Sequence, residues 1–277
     1  GENIFGWKDI TQLRIKYEFK GRNVKPFILS VCQNKGGVGK TTAAINIATA
    51  LSYIGKVLMI DLDSQANLSQ FYNIYLRENM PSIADFLNDP KTFDSVRVNV
   101  AENIDLLPNN LKFERWKNDA KERGFNNYGL RKALKDIREK YQFIIIDTPP
   151  ALDLSLQMAL FASNYCIIPF EPHPFSLEGI TNIIEEIKYI SSKDDTGTID
   201  LEILGIFVNM YEKNNLSGQI SDFIFEKHNV FESKVRKMVA VQQAQAVKKS
   251  IFEYDETACV SNDYFNLTFE ILEKVLA

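Results

Sequence analysis

The sequence predicts an α/β protein built on a doubly wound, mostly parallel sheet flanked by helices. Three observations lead there. From Pro26 onward, short apolar runs alternate with longer stretches of helical periodicity, the pattern of successive βαβ units. Several of these runs are apolar throughout instead of alternating, as strands covered by helices on both faces must be. A glycine-rich turn joins the first run to the first helical stretch, at the edge where sheets of this kind take ligands.

The elements follow in order. "FILSVCQ" (27 to 33) is the first strand, and "TTAAINIATALSYI" (41 to 54) is an apolar helix with good helix formers and no proline. "KVLMID" (56 to 61) and "NIDLLP" (103 to 108) are the next strands, and the charged stretch 109 to 139 is long enough for two helices. "FIIID" (143 to 147), "YCIIPF" (165 to 170) and "ILGIFVN" (203 to 209) complete the strands. An amphipathic helix is expected over 177 to 192 and a closing helix over roughly 263 to 276. With no repeat, low-complexity tract or Pro/Gly-rich linker, 26–277 reads as one domain and 1–25 as a polar N-terminal arm. That arm carries Trp7 and Tyr17 and is either packed on the domain or used for partner-specific or dimer-stabilising contacts.

Composition narrows the class. The 277 residues are 45% apolar, ample for a core, and the formal charge of -4 excludes a protein that is basic all over. Any contact with nucleic acid then needs a local patch. Cys32, Cys166 and Cys259 form no C-x-x-C pair, which fits free thiols in a reducing compartment better than disulfides or metal ligands. No apolar run reaches the roughly 18 residues that span a bilayer, and no signal-peptide layout opens the chain. The expectation is a soluble, cytoplasmic protein.

The chemistry is concentrated in "NKGGVGKTT", residues 34 to 42. A strand, a glycine-rich turn and then a helix is the context that makes such a motif a phosphate site. Gly36, Gly37, Val38 and Gly39 can turn backbone N–H groups inward around phosphate oxygens, and the helix N-terminus adds its dipole. Lys40 would reach the β- and γ-phosphates, Thr41 would ligate Mg²⁺, and Thr42 would contact the α-phosphate. The usual pattern, however, has glycine where this chain has Asn34, and it has no counterpart to Lys35.

Lys35 is where the sequence resembles a known family. "KGGVGKTT" is similar to the deviant Walker A motif of ParA/MinD-type ATPases, in which the extra lysine reaches across a dimer to the partner's nucleotide. The likeness continues in "DLDSQAN" (61 to 67), "IIIDTPP" (144 to 150), "IPFEPHPFSLEGI" (168 to 180) and "FVNMYEKNNLSGQI" (207 to 220), and it points to ParA-type partition ATPases. The implied fold is a deviant P-loop NTPase; the implied cofactors are ATP and Mg²⁺. Asp147 would then hold Mg²⁺, through water, and Asp63 would orient or activate the attacking water. Lys35, Lys40 and Asp63 become the catalytic set, with Lys35 supplying charge in trans as an arginine finger does. Asn209 would hydrogen-bond adenine, although a strand-ending turn would show the same residue.

The family further implies an ATP-dependent homodimer that binds non-specific double-stranded DNA on the nucleoid, stimulated by a ParB-like partner, in plasmid or chromosome segregation. Between Val230 and Ser250 lie Lys234, Arg236, Lys237, Lys248 and Lys249 against one acid, Glu232, a local excess of +4. These are the expected DNA contacts; a solvated helix face is the other reading. The loop "EKNNLS" lacks the arginine that relatives often carry, leaving Lys213. Positioning of another cellular cargo and a nucleotide-gated scaffold with little turnover both use the same switch. A MinD-like membrane role would need a basic amphipathic C-terminus, and "NDYFNLTFEILEKVLA" has one lysine against three acids.

Overall fold

The computed structural model describes residues 24–74, 80–173, 176–192 and 200–276. The arm expected over 1–25 lies outside the described residues except for Val24 and Lys25, and so do Pro174 and Phe175 of the 168 to 180 segment. The sheet has eight strands in the order β3-β4-β2-β5-β1-β6-β7-β8. They are β1 (Phe27–Val31), β2 (Val57–Asp61), β3 (Val98–Ala101), β4 (Ile104–Leu107), β5 (Phe143–Asp147), β6 (Tyr165–Phe170), β7 (Glu202–Tyr211) and β8 (Val230–Arg236). Neighbours run parallel except β3, which pairs antiparallel with β4.

The described helices are α1 (Lys40–Ser52), α2 (Asn67–Phe71), α3 (Ile83–Asn88), α4 (Phe93–Val96), α5 (Lys112–Glu122), α6 (Gly129–Ala133), α7 (Leu154–Ala162), α8 (Leu177–Ser191), α9 (Asn215–Lys227), α10 (Val239–Ala246), α11 (Ile251–Tyr254) and α12 (Cys259–Leu276). They cover both faces of the sheet, which is why β1, β2, β4 and β5 are buried along their whole length. Helix α1 is buried almost all round, packed between the central strands and α12. Its strong apolar character is therefore core packing, with Ala43, Ile47 and Leu51 fully buried.

Every expected strand is present, but two strands and several helices went unanticipated. β3 is a short edge strand whose residues are only partly buried. β8 reads "VFESKVR", with charges on its exposed positions, because it is the other edge and has one covered face. Helix α7 starts where Asp153 accepts hydrogen bonds from the Ser155 and Leu156 N–H groups, and α9 where Asn214 accepts from Ser217, both ordinary side-chain caps. Of the two helices expected over 109 to 139, α5 is a true amphipathic helix, whereas the second shrinks to the short α6. Placing the strands in this order puts the ends of β1, β2, β5 and β7 along one edge, where the loops gather.

Candidate functional site

The phosphate loop leaves β1 at Val31 and returns as α1 at Lys40. Gly37 and Gly39 have φ of 77° and 84°, a left-handed region that costs an L-residue. At Gly39 a side chain is excluded twice over: a Cβ there would sit 2.5 Å from Asn209 Nδ2. That amide is in place because Asn209, almost wholly buried, donates to the Val38 carbonyl at 2.8 Å. Lys40 Nζ donates to the Lys35 carbonyl at 3.1 Å. Burial pushes the Lys40 ammonium below its ordinary pKa, while Asp147 and Asp63 oppose that shift.

Three carboxylates stand at the strand ends beside the loop. Thr41 Oγ1 donates to Asp147 Oδ2 at 2.7 Å, and Asp147 Oδ1 is buried with no hydrogen-bond partner. Asp61 is the register neighbour of Asp147 across β2 and β5. Burial raises both carboxyls well above the ordinary range; for Asp147 the charge of Asp61 adds to it, and for Asp61 the bonds to Ser69 hold the rise back. Asp63 is anchored from three directions. Its Oδ1 accepts the Gln65 N–H at 2.9 Å, its N–H donates to Asp61 Oδ1 at 3.1 Å, and its carbonyl accepts Asn109 Nδ2 at 2.9 Å.

The phosphate loop and Asp63 open onto a cavity of about 600 Å³. Gly36, Gly37, Gly39, Lys40, Thr41 and Thr42 form its floor, with Asp63 beside them. The lining also includes Phe71 and Gln245, which the sequence reading did not single out, Met210 of the 207 to 220 segment, and Lys248, which was expected on the DNA surface. Gln245 Nε2 donates to Thr42 Oγ1 at 2.6 Å, so a helix two hundred residues downstream closes the site. No motif marks Gln245; only the fold brings it there. Asn209 is not part of this lining; its amide braces the loop at the Val38 carbonyl. Lys35 also stands outside the lining: its ammonium bonds Ser176 Oγ at 3.0 Å and lies 3.6 Å from the Glu171 carboxylate.

The residues fit a hydrated Mg²⁺. A hydroxyl and a carboxylate with a free oxygen offer hard donors, and Mg²⁺ ordinarily takes one or two carboxylates with water and phosphate for the rest. Among the described residues there is no cluster of three or more His, Cys, Asp or Glu that would form an all-protein metal cage.

Comparison with known proteins decides the family. A profile described as "AAA domain" (AAA_31) matches residues 27–203. A ParA family protein of Chlamydia pneumoniae is 31% identical over 258 residues, 88% of this chain and 96% of that one. The chain is a ParA-type ATPase. The chromosome partitioning protein ParA of Caulobacter vibrioides is 29% identical over 256 residues, 89% of this chain and 94% of its own length. A solved structure from Borrelia burgdorferi with AMPPNP bound superposes with a TM-score of 0.78 at 26% identity, covering 90% of this chain and 100% of the other. As an ATPase it takes ATP as its substrate.

The five basic residues of the expected DNA patch meet different fates in this ParA-type chain. Arg236 is held by both oxygens of the buried Asp263, at 2.7 and 2.6 Å, and Lys237 bonds Glu212 at 2.6 Å. Lys234 lies 5.1 Å from the ring centroids of both Tyr211 and Phe225. Lys248 lines the nucleotide cavity, and Lys249 is exposed. The residues sit on strand β8 and in the turns flanking α10, not on one helix face. Carboxylates from outside the 230 to 250 window thus neutralise part of its charge. No helix among the described residues is long and apolar enough to cross a membrane.

Proposed function

We propose that this ATPase is a nucleotide-gated dimer that binds double-stranded DNA without sequence preference and partitions plasmid or chromosomal DNA with a ParB-like stimulating protein. One observation carries the reading: Lys35 belongs to the phosphate loop yet keeps its ammonium outside the loop's own cavity, beside Ser176 and Glu171. A lysine so placed is available to a second copy's nucleotide. Delivered there, its charge would stabilise the phosphoryl oxygens in the transition state, making hydrolysis depend on dimerisation.

Within one protomer the roles follow from the donors each residue has. Loop N–H groups and Lys40 hold the phosphates, Thr41 and Asp147 take the metal, and Asp63 orients the attacking water, its backbone fixed from both sides. Mg²⁺ supplies neutralisation of charge on the phosphates. The described domain from 26 onward acts as the switch. Relatives named for chromosome partitioning support the segregation role. The closing helix α12 buries Val260, Tyr264, Leu267 and Ile271 in the core, leaving no apolar face for a lipid surface. DNA would meet Lys249 and the exposed flanks of Lys237 and Arg236.

The test is binding to non-specific duplex DNA with Mg-ATP, Mg-ADP and no nucleotide over a range of salt. Binding only with ATP, with log K falling by roughly 0.9 per log unit of salt for each phosphate contact, is the expected result. DNA ignored in every state would refute the DNA arm. Lys35→Ala should bind ATP yet remain monomeric in sedimentation, and an ATP-dependent dimer of that variant would remove the trans role.

A further inference from the structure

Lys248 has a φ of +58°, the left-handed region that favours glycine or asparagine. It sits just past the C-terminus of α10, where its N–H donates to the Gln245 carbonyl and that of Lys249 donates to Ala244, each at 3.0 Å, closing a left-handed helix cap. The cap bonds need the left-handed backbone but not a lysine, which is more strained there than glycine, and an observed outlier is grounds for seeking a function. The turn is also fixed to the phosphate-binding helix. Gln245 Nε2 donates to Thr42 Oγ1 at 2.6 Å, the Ile251 N–H donates to Asn46 Oδ1 at 2.8 Å, and Asn46 Nδ2 donates to the Thr42 carbonyl at 2.8 Å. Gln245 and Lys248 both line the nucleotide cavity.

We infer that Lys248 is a nucleotide-binding residue, a cation of the cavity lining that recognises acceptor atoms at the nucleoside and α-phosphate end of ATP or ADP, with Gln245 as the positioning residue for Thr42. The Thr42 oxygen accepts the Gln245 amide, so its own proton is left to donate to a phosphate oxygen. The lining also holds Ile45, Phe71 and Met210, apolar surface suited to a base. Lys40 and Lys248 are the cations among the described lining residues; Lys248 follows Gln245, which is tied to Thr42, and its ammonium offers three donors and no acceptor. The proposal moves Lys248 from the expected DNA surface to the ATP site. It rests on the ATP site alone, independent of DNA binding and dimerisation.

Calorimetric titration of the whole protein with Mg-ATP and with Mg-ADP tests it, using Lys248→Gly, Gln245→Leu and Lys40→Ala. Glycine suits the left-handed backbone, so Lys248→Gly should melt no lower than the native protein while losing about tenfold in affinity for ATP and ADP alike, the loss of one charge-assisted hydrogen bond. Gln245→Leu should lose several-fold for both nucleotides. Lys40→Ala marks the floor of the assay. Unchanged ATP and ADP affinity in Lys248→Gly overturns the inference, and weakened DNA binding in that case returns Lys248 to the DNA surface. A loss confined to ATP would also overturn it, because the contact would then lie at the γ-phosphate. Absence of DNA binding in the native protein would refute the partition reading and leave this result standing.

Discussion

Replacing Gly39 with alanine isolates the strain built into the phosphate loop. Two costs can be worked out separately. A φ of 84° is unfavourable for an L-residue by roughly 1–2 kcal/mol. The new Cβ would lie 2.5 Å from Asn209 Nδ2, closer than carbon and nitrogen can approach, so the amide must swing away and leave the Val38 carbonyl. Losing that buried hydrogen bond costs about 1–3 kcal/mol. Gly39→Ala should therefore destabilise the nucleotide-free protein by about 2–5 kcal/mol. Asn209→Ala alone should cost about 1–3 kcal/mol, the hydrogen-bond part only. In the double variant the clash has gone and the bond is lost once, so its loss should fall short of the sum of the singles by about 1–3 kcal/mol. Urea denaturation of the four proteins closes the cycle. Additive losses, or a Gly39→Ala variant as stable as the native chain, would refute the picture of Asn209 as the brace behind the loop.

Three other outcomes follow from the structure, two of them at the site. Asp63→Ala should keep ATP affinity while steady-state hydrolysis falls by about 10²–10⁴-fold, the usual contribution of such a group; equal rates in both proteins would remove Asp63 from the chemistry. Asp147 has its carboxyl raised from an ordinary value of 3.8 to about 8 by burial, then by Asp61. The folded, nucleotide-free protein thus holds a proton that the unfolded chain has already released, and its stability should decline as pH rises through that window. Asp147→Asn should lessen the slope, read as urea midpoints from pH 5 to 8, without removing it, because Asp61, raised to about 7 mainly by burial, loses its proton in the same range. An unchanged slope would show that Asp147 ionises freely. Lys117, buried on α5, bonds Asp153 at 2.6 Å and Glu114 at 2.8 Å. Lys117→Met should cost about 1–3 kcal/mol, below the 3–5 of a fully buried pair, because Asp153 retains its cap bonds and some water. A melting temperature equal to the native one would show that solvent already carries the charge.

Much of this site was legible because its information is local. A strand, three glycines, a lysine and two threonines are contiguous, and backbone geometry alone turns them into an anion cradle, so Gly36 to Thr42 could be named from the string. Asp63 and Asp147 were legible for a related reason: each ends or follows an apolar run, and a parallel sheet delivers such ends to one edge. What escaped was non-local. Strand β8 was hidden because an edge strand with one buried face keeps charges at alternate positions, and "VFESKVR" reads as a basic segment. Counting charge over 230 to 250 likewise missed Asp263 and Glu212, which reach Arg236 and Lys237 from elsewhere in the chain. Asn209 was placed by the right strand, but its bond to the Val38 carbonyl and its closeness to Gly39 were not legible, since both depend on where the fold carries the loop.

The missed residues belong to one physical arrangement. Helix α1 begins at the phosphates, and its residues Thr42 and Asn46 hydrogen-bond Gln245 and Ile251 at the two ends of the turn after α10. The same turn carries Lys248, which lines the cavity, and Lys249, and both are exposed. A change in the contacts of Thr42 would therefore reach a turn that carries two neighbouring cations. Coupling of this kind needs an element that two sites can bias, and the turn anchored at Thr42 and Asn46 is the candidate. Gln245→Leu separates the alternatives. If the turn transmits nucleotide state, its salt-dependent DNA binding should no longer distinguish ATP from ADP, whereas a turn that merely closes the cavity would lower nucleotide affinity and leave that distinction intact.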